Sequence, residues 1–218
     1  VTAGREWDLA DAGIPVHVTN YITVEDGGVL SIAPGATLGF DALQQLSVKP
    51  GGSLYALGTA DEPIVFTSHP GAALWKGVQN SRGTMILLHC EVSFAEKGLM
   101  VGASSIDPPT NSIAQNCKIH DNTVGIYAYA PTHATTSIVY NEIYNNLTFG
   151  VDWGGFSTDA VNAYHNYWGD PSGPYHATLN PDGSGNLVDD FINFDPFLTT
   201  PPEDQALSGD MWVSTAGP

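Results

Sequence analysis

Four segments in the second half of the chain place chemically similar side chains at matching positions. They are HCEVSFAEKGLMV (89–101), NCKIHDNTVGIYA (116–128), YNEIYNNLTFGVDW (140–153) and HNYWG (165–169). One column reads His89, Asn116, Tyr140 and His165; the next reads Glu91, Lys118, Glu142 and Tyr167; the third reads Ser93, His120 and Tyr144. Turned outward on one face, Tyr140, Tyr144, Tyr167, His120 and His165 form a patch of aromatic and imidazole rings. Tyrosine offers an apolar ring face and a hydroxyl, the two features that grip a sugar ring. Glu142 and Tyr127 complete the candidate carbohydrate-binding set. An ordinary solvated face with cross-strand aromatic pairs would carry the same residue types. Lys118 falls between Glu91 and Glu142 as an ion-pair ladder, and exposed pairs contribute about 0–1 kcal/mol each. A further outward column holds Met100, Tyr127 and Asp152, with Tyr129, Asp121, Asp159 and Asp170 nearby.

The segment NPDGSGNLVDD (180–190) sets oxygen-bearing side chains around glycines. Hard cations take six to eight oxygen ligands. Calcium is the ion this loop would hold, through Asn180, Asp182, Ser184 and Asp189, with Asn186 and Asp190 adjacent. The loop lacks the terminal glutamate of an EF-hand, and an exposed Asx-rich turn has the same composition. No other cofactor is implied, and the sequence displays no transition-metal cluster.

Side chains so spaced need elements that repeat with them. The four segments lie at offsets of 27, 24 and 25 residues. Their second position reads Cys90, Cys117, Asn141, Asn166, and their fourth reads Val92, Ile119, Ile143, Trp168. Glycine recurs at 98, 125 and 150. In the first half, Leu30, Leu54 and Val78 share the spacing, as do Ile22 and Leu46, and LSIAPGATL and LSVKPGGSL repeat a Pro-Gly turn. Helical periodicity is nearly absent; only EWDLADAG (6–13) suggests a short helical turn. A period of about 25 residues holding two or three short strands fits one coil of a parallel β-helix, whose coils stack by hydrogen bonding. The expected fold is all-β, a single right-handed parallel β-helix domain of about six to seven coils over 16–169. Residues 1–15 would cap the N-terminal end, and 170–218 would form the C-terminal cap and tail.

Composition narrows the function. The chain has 218 residues, with 23 acidic against six basic ones and a formal net charge of −17. Nucleic-acid binding rests on neutralising phosphates with Lys and Arg, so it is disfavoured, as are anionic membranes. No run approaches the roughly 18 apolar residues of a membrane span. A start without Met or signal peptide is expected of a chain whose targeting segment has been removed. A monomeric protein, secreted or on a cell surface, is the expected setting.

The segments GVLSIAPGATLGF, GTADEPIVFTS, WKGV and NYWGDPSGP…FDPFL resemble motifs of secreted bacterial and archaeal right-handed parallel β-helix repeat proteins of the pectin-lyase-like fold. The resemblance covers about residues 20–198. It implies an architecture rather than a reaction, because the group holds adhesin-like surface modules beside lyases, hydrolases and epimerases of acidic polysaccharides. A lyase of this fold would need clustered carboxylates for calcium and a basic residue to take the proton beside the uronate carboxyl. Lys118 is the candidate base, and its glutamate neighbours suggest a salt bridge instead. A hydrolase would need two converging carboxylates. Asp121 and Asp152 are available, yet no acidic pair is expected at equivalent positions of adjacent coils. The preferred reading is a non-catalytic module that binds polysaccharide or a cell-surface glycan. The alternatives are an enzyme acting on acidic polysaccharide and a structural spacer in a larger surface protein. Ice binding would want stacked threonines, and Thr23, Thr37, Thr67 and Thr84 do not stack at the coil period.

The string NYWGDPSGP (166–174) cannot continue a helix or a central strand, since Pro171 and Pro174 lack the amide proton. A solenoid has open ends whose unpaired edges must be covered. Trp168 is expected to stop the Val92–Ile119–Ile143 ladder, with FINFDPFL (191–198) folding over it. Cys90 and Cys117 should lie about 4.8 Å apart at Cα on successive coils. In-register neighbours keep their Cβ atoms at that same spacing, beyond the roughly 3.5–4.5 Å of a disulfide. Free, buried thiols are therefore expected.

Overall fold

The computed structural model describes residues 1–2, 6–9, 15–102, 111–129, 135–155 and 160–202. Over them the chain is an all-parallel β-solenoid with three faces of six strands each. The first three coils run β1 (Glu6–Leu9), β2 (Val16–Val18), β3 (Ile22–Val24); β4 (Val29–Ile32), β5 (Thr37–Phe40), β6 (Gln45–Val48); β7 (Ser53–Leu57), β8 (Ile64–Ser68), β9 (Gly77–Asn80). The next three run β10 (Thr84–Leu88), β11 (Cys90–Ser93), β12 (Lys97–Val101); β13 (Asn111–Gln115), β14 (Lys118–His120), β15 (Val124–Ala128); β16 (Thr135–Val139), β17 (Glu142–Tyr144), β18 (Phe149–Trp153). Each coil gives its first strand to the first face, its second to the second and its third to the third.

The strands are short because each covers one side of a narrow core. Side chains alternate inward and outward along them. Val29–Ile32 and Thr84–Leu88 show this as alternating partly exposed and buried positions. In the Pro-Gly turns, Gly35 and Gly51 take positive φ of 79° and 76°, a conformation glycine adopts without steric cost.

Inward residues form continuous ladders. On the second face, Leu38, Phe66, Val92, Ile119 and Ile143 are in register and fully buried. On the third face, Leu46, Val78, Leu99, Ile126 and Val151 do the same. Burying a side chain of this size contributes about 1.5–3 kcal/mol. Trp75 is one of the two largest fully buried side chains, with Trp168. It stacks on Phe40 at 4.2 Å and donates its indole N–H to the Ser93 carbonyl at 2.8 Å.

Three expectations change. Residues 6–9 of the supposed helical turn are β1, paired parallel with β4; residues 10–13 lie outside the described residues. Val78 does not stack with Leu54, whose neighbours are Leu30 and Met85; it belongs to the Ile22–Leu46 ladder. From first rung to last the six strands of each face span about five turns, slightly fewer than the six to seven coils expected. The coil from Ser53 to Thr84 is longer than its predecessor from Val29 to Ser53. Residues 165–169, moreover, form no strand of the three faces; they join the last coil by an isolated Glu142–Tyr167 bridge and by hydrogen bonds of His165, Asn166 and Tyr167.

The two corners flanking the second face explain the repeated asparagines and glycines. At the entry corner His89, Asn116, Tyr140 and His165 have φ of 47–56°. At the exit corner Phe94, Asp121 and Asn145 have φ of 53–55°. A left-handed non-glycine residue costs on the order of 1–3 kcal/mol and persists only where its surroundings hold it. Four of the seven are followed by asparagine, whose side chain holds the same corner of the coil before. Asn141 Oδ1 accepts the Cys117 N–H at 3.0 Å, while its Nδ2 donates to the Ala114 carbonyl and to Asn166 Oδ1. Asn122 and Asn146 build a second ladder at the other corner, and the cap residue Asn186 continues it. Glycine recurs beside this ladder for lack of room. A Cβ on Gly98 would lie 2.9 Å from Asn122 Nδ2, and one on Gly125 would lie 2.8 Å from Asn146 Nδ2.

The C-terminal end is closed as the string at 166–174 suggests. Trp168 is fully buried beyond Ile143, whose N–H donates to the Tyr167 carbonyl. Asp170 Oδ1 accepts from the N–H and hydroxyl of Ser172, forming the tight turn. Two short pairs then fold across the end: β19 (Val161–Asn162) with β22 (Ile192–Asn193), and β20 (Pro174–Tyr175) with β21 (Gly185–Leu187). Val188, Ile192, Phe194 and Leu198 are buried there.

Cys90 and Cys117 are free and buried. Cys90 donates to the Ala56 and Leu88 carbonyls and Cys117 to those of Leu87 and Gln115. Burial, and then the neighbouring Cys117, push the Cys90 thiol well above its ordinary range, so the nucleophilic thiolate is suppressed. A thiol reagent is expected to find neither residue in the native protein and both in denaturant without reductant. No titratable thiol in denaturant would instead reveal a disulfide.

Candidate functional site

The second face brings most of the proposed glycan-binding residues together. Glu91, Lys118 and Glu142 are in register at its centre, and Tyr167 follows through its bridge to Glu142. Ser93, His120 and Tyr144 form the column toward the exit corner. His89, Asn116, Tyr140 and His165 occupy the entry corner itself rather than strand positions. Their left-handed backbone makes the corner a ridge along one side of the face.

Along this ridge runs a groove of about 440 Å³ lined by His89, Glu91, Asn116, Lys118 and Glu142. Thr59, Ala60, Pro63 and Pro202 complete its lining with Cys90 and Cys117. Lys118 Nζ lies 3.6 Å from Glu142 Oε2, one of the two pairs of the expected ladder, while Glu91 meets His120. The rings pair along the solenoid: His120 stacks on Tyr144 at 4.8 Å and 12°, and Tyr140 on His165 at 5.4 Å and 9°. Stacking uses one face of each ring. The patch therefore offers a ligand the remaining faces, ring edges and hydroxyls, not four free platforms.

His120 is held between two carboxylates, with Nε2 3.3 Å from Glu91 and Nδ1 2.8 Å from Asp121. Burial alone would lower its pKa, but the hydrogen bonds and charges of Glu91 and Asp121 outweigh it, and the pKa is raised. Glu91 is lowered, chiefly by the His120 hydrogen bond. The imidazolium contribution is fully present below the unfolded histidine pKa and lost as pH rises through the raised folded value. The Glu91 contribution is present above the unfolded carboxylate pKa and lost as pH falls through the lowered one.

The remaining candidates lie elsewhere. Tyr127 is on the third face, in register with Met100 and Asp152, and Lys97 Nζ covers its ring at 3.4 Å from the centroid. The catalytic candidates do not converge: Lys118 pairs with Glu142, Asp121 with His120, and Asp152 stands on the third face. An acidic pair does lie one rung apart, formed with the cap rather than with an adjacent coil. The cap bridges Val188 to Val151, which sets Asp189 beside Asp152. Burial and then the Asp189 charge raise the Asp152 pKa. Asp159 lies outside the described residues.

In the 180–190 loop, Asn180 gives its side-chain donor to the Ser172 and Pro174 carbonyls. The Ser184 N–H binds Ser172 Oγ, and Asp182 is exposed. Asp189 sits toward Asp152, away from this turn. The group of three metal-ligating side chains that the described residues do bring together is His17, Asp41 and His69. Sequence reasoning missed it. The signal is that His17 and Asp41 stand about one coil apart.

Comparison with protein-family models, curated proteins and solved structures gives no match to this chain.

Proposed function

We propose that the second face binds a polysaccharide without turning it over, as the working surface of a secreted or cell-surface β-solenoid acting as a monomer. The observation that carries this reading is that one side of the solenoid holds both a groove of about 440 Å³ lined by groups of both charge signs and, outside that lining, two stacked tyrosine–histidine pairs. Ring edges and hydroxyls complement sugar hydroxyls, and the carboxylates of Glu91 and Glu142 are acceptors for sugar O–H or ammonium groups. The −17 net charge opposes a uronate polymer, so the glycan is built of neutral or amino sugars. The secreted setting rests on the resemblance to extracellular β-helix repeat proteins and on that acidic composition.

A hydrolase is the second reading, favoured by the Asp152–Asp189 pair. Two carboxyl groups one rung apart, one of them with its pKa raised, are the elements of a general-acid arrangement.

Binding to arrays of neutral, amino and uronate glycans, run beside assays for reducing ends and unsaturated product, separates these readings. Binding without product supports the module; product supports the enzyme. Neither result would reject both readings. The triple variant Tyr140→Ala, Tyr144→Ala, Tyr167→Ala is expected to bind about ten-fold or more weaker, the loss of at least 1.4 kcal/mol. Its melting curve should stay close to wild type because the three side chains point outward. Unchanged binding would remove this patch from the account.

A further inference from the structure

We propose that His17, Asp41 and His69 form a site for a divalent transition-metal ion, with zinc as the expected occupant, that clamps the first three coils together. Their ligand atoms lie within 4.8 Å of one another. Nε2 of His17 is 2.8 Å from Oδ1 of Asp41, and the imidazoles of His17 and His69 stack at 3.7 Å and 18°.

The solenoid backbone fixes this meeting. Val18, Phe40 and Ser68 are in register on β2, β5 and β8. The Asp41 N–H donates to the Val18 carbonyl and the His69 N–H to the Phe40 carbonyl, so Asp41 and His69 leave their strands one rung apart. His17 sits two rungs from His69, about 10 Å at the spacing of parallel strands. The rung between them carries Gly39, the register partner of His17, so no side chain stands there. A Cβ there would lie 3.4 Å from His69 Cα and 3.7 Å from His69 Cδ2. A bare glycine on the middle coil leaves the space in which the two imidazoles meet.

Two imidazoles and one carboxylate suit zinc, copper or nickel, while calcium and magnesium prefer all-oxygen shells. Four-coordinate zinc with bonds of about 2.0–2.1 Å sets its ligand atoms roughly 3.3 Å apart, and water completes a three-ligand site. The side chains of His17 and Asp41 are 45% and 40% exposed, so they can rotate to that spacing. Binding replaces the proton between His17 Nε2 and Asp41 Oδ1 with the metal. The −17 net charge raises the local cation concentration. The consequence is mechanical. Stability of a solenoid sums over neighbouring coils, and terminal coils open most readily. An ion ligated from three successive coils ties the N-terminal end shut.

The test uses the untagged protein, titrated calorimetrically with zinc chloride and followed with cobalt(II) for the visible bands of imidazole ligation. One equivalent of zinc is expected to bind. Affinity should fall by about 10–100-fold in His17→Gln and His69→Gln, and by about ten-fold in Gly39→Val, which keeps all three ligands but fills the gap. Zinc should raise the melting temperature of wild type and leave His69→Gln unmoved; calcium in excess should not compete. Asp41→Asn gives the same readout should a histidine variant fail to fold. No heat at millimolar zinc, or equal affinity in wild type and the double histidine variant, would overturn the site.

Discussion

Trp168→Ala is expected to destabilise the protein by about 3–5 kcal/mol, the cost of emptying a fully buried tryptophan site. That is a large share of the roughly 5–15 kcal/mol by which domains are stable. The loss reaches beyond the cavity. Trp168 lies between the last inward residues, Ile143 and Val151, and the closing segment, and its carbonyl accepts the Asn186 N–H at 2.8 Å. Without the ring, the β20–β21 pair loses the surface it rests on, and the strand edges of β16 to β18 become open templates for another chain. Light scattering should therefore rise together with the fall in urea midpoint. Trp168→Phe refines the test. It keeps an aromatic plug and removes an indole N–H that is buried without a hydrogen-bond partner. Phenylalanine is expected to recover most of the loss. A Trp168→Ala protein that unfolds like wild type and stays monomeric would show that the string at 166–174 is not a plug.

The second large effect lies at a corner. Asn141→Ala is expected to cost about 3–5 kcal/mol, because it strands the Cys117 N–H and the Ala114 carbonyl in the core at about 1–3 kcal/mol each. It also removes the donor to Asn166 Oδ1, so the last corner loosens with it. Asn116, at φ 54° just before Cys117, loses the amide bond that holds its corner. Asn141→Asp should fare no better, since an oxygen then faces the Ala114 carbonyl and a charge is buried. Urea unfolding decides it, and a change below about 1 kcal/mol would deny the amide ladder its structural role.

Much of this architecture was legible because the coil period survives in the sequence. Val92, Ile119, Ile143 and Trp168 fall at nearly equal intervals, and alternation along each strand tells inward from outward. The outward columns that become the second face follow from the same period. What escaped has a common physical cause: contacts made by segments off the period. Asn186 meets Asn146 across 40 residues because the cap, not a coil, delivers it. Asp189 reaches Asp152 by the same route. In the first half the coils differ in length, as the pairing of Ser53 with both Val29 and Thr84 shows, and the His17–Asp41–His69 meeting was hidden there. The corner asparagines look like turn residues in the sequence. Only the stacking of one corner on the next reveals that each amide serves its neighbour's backbone.

Hydroxyl-radical footprinting of the protein saturated with a glycan it retains tests the proposed face most directly. Protection is expected at Tyr140, Tyr144, Tyr167 and His120 of the second face, with Met100 and Tyr127 of the third face as reactive as in the free protein. Protection confined to Met100 and Tyr127, or none on the second face, would contradict the account.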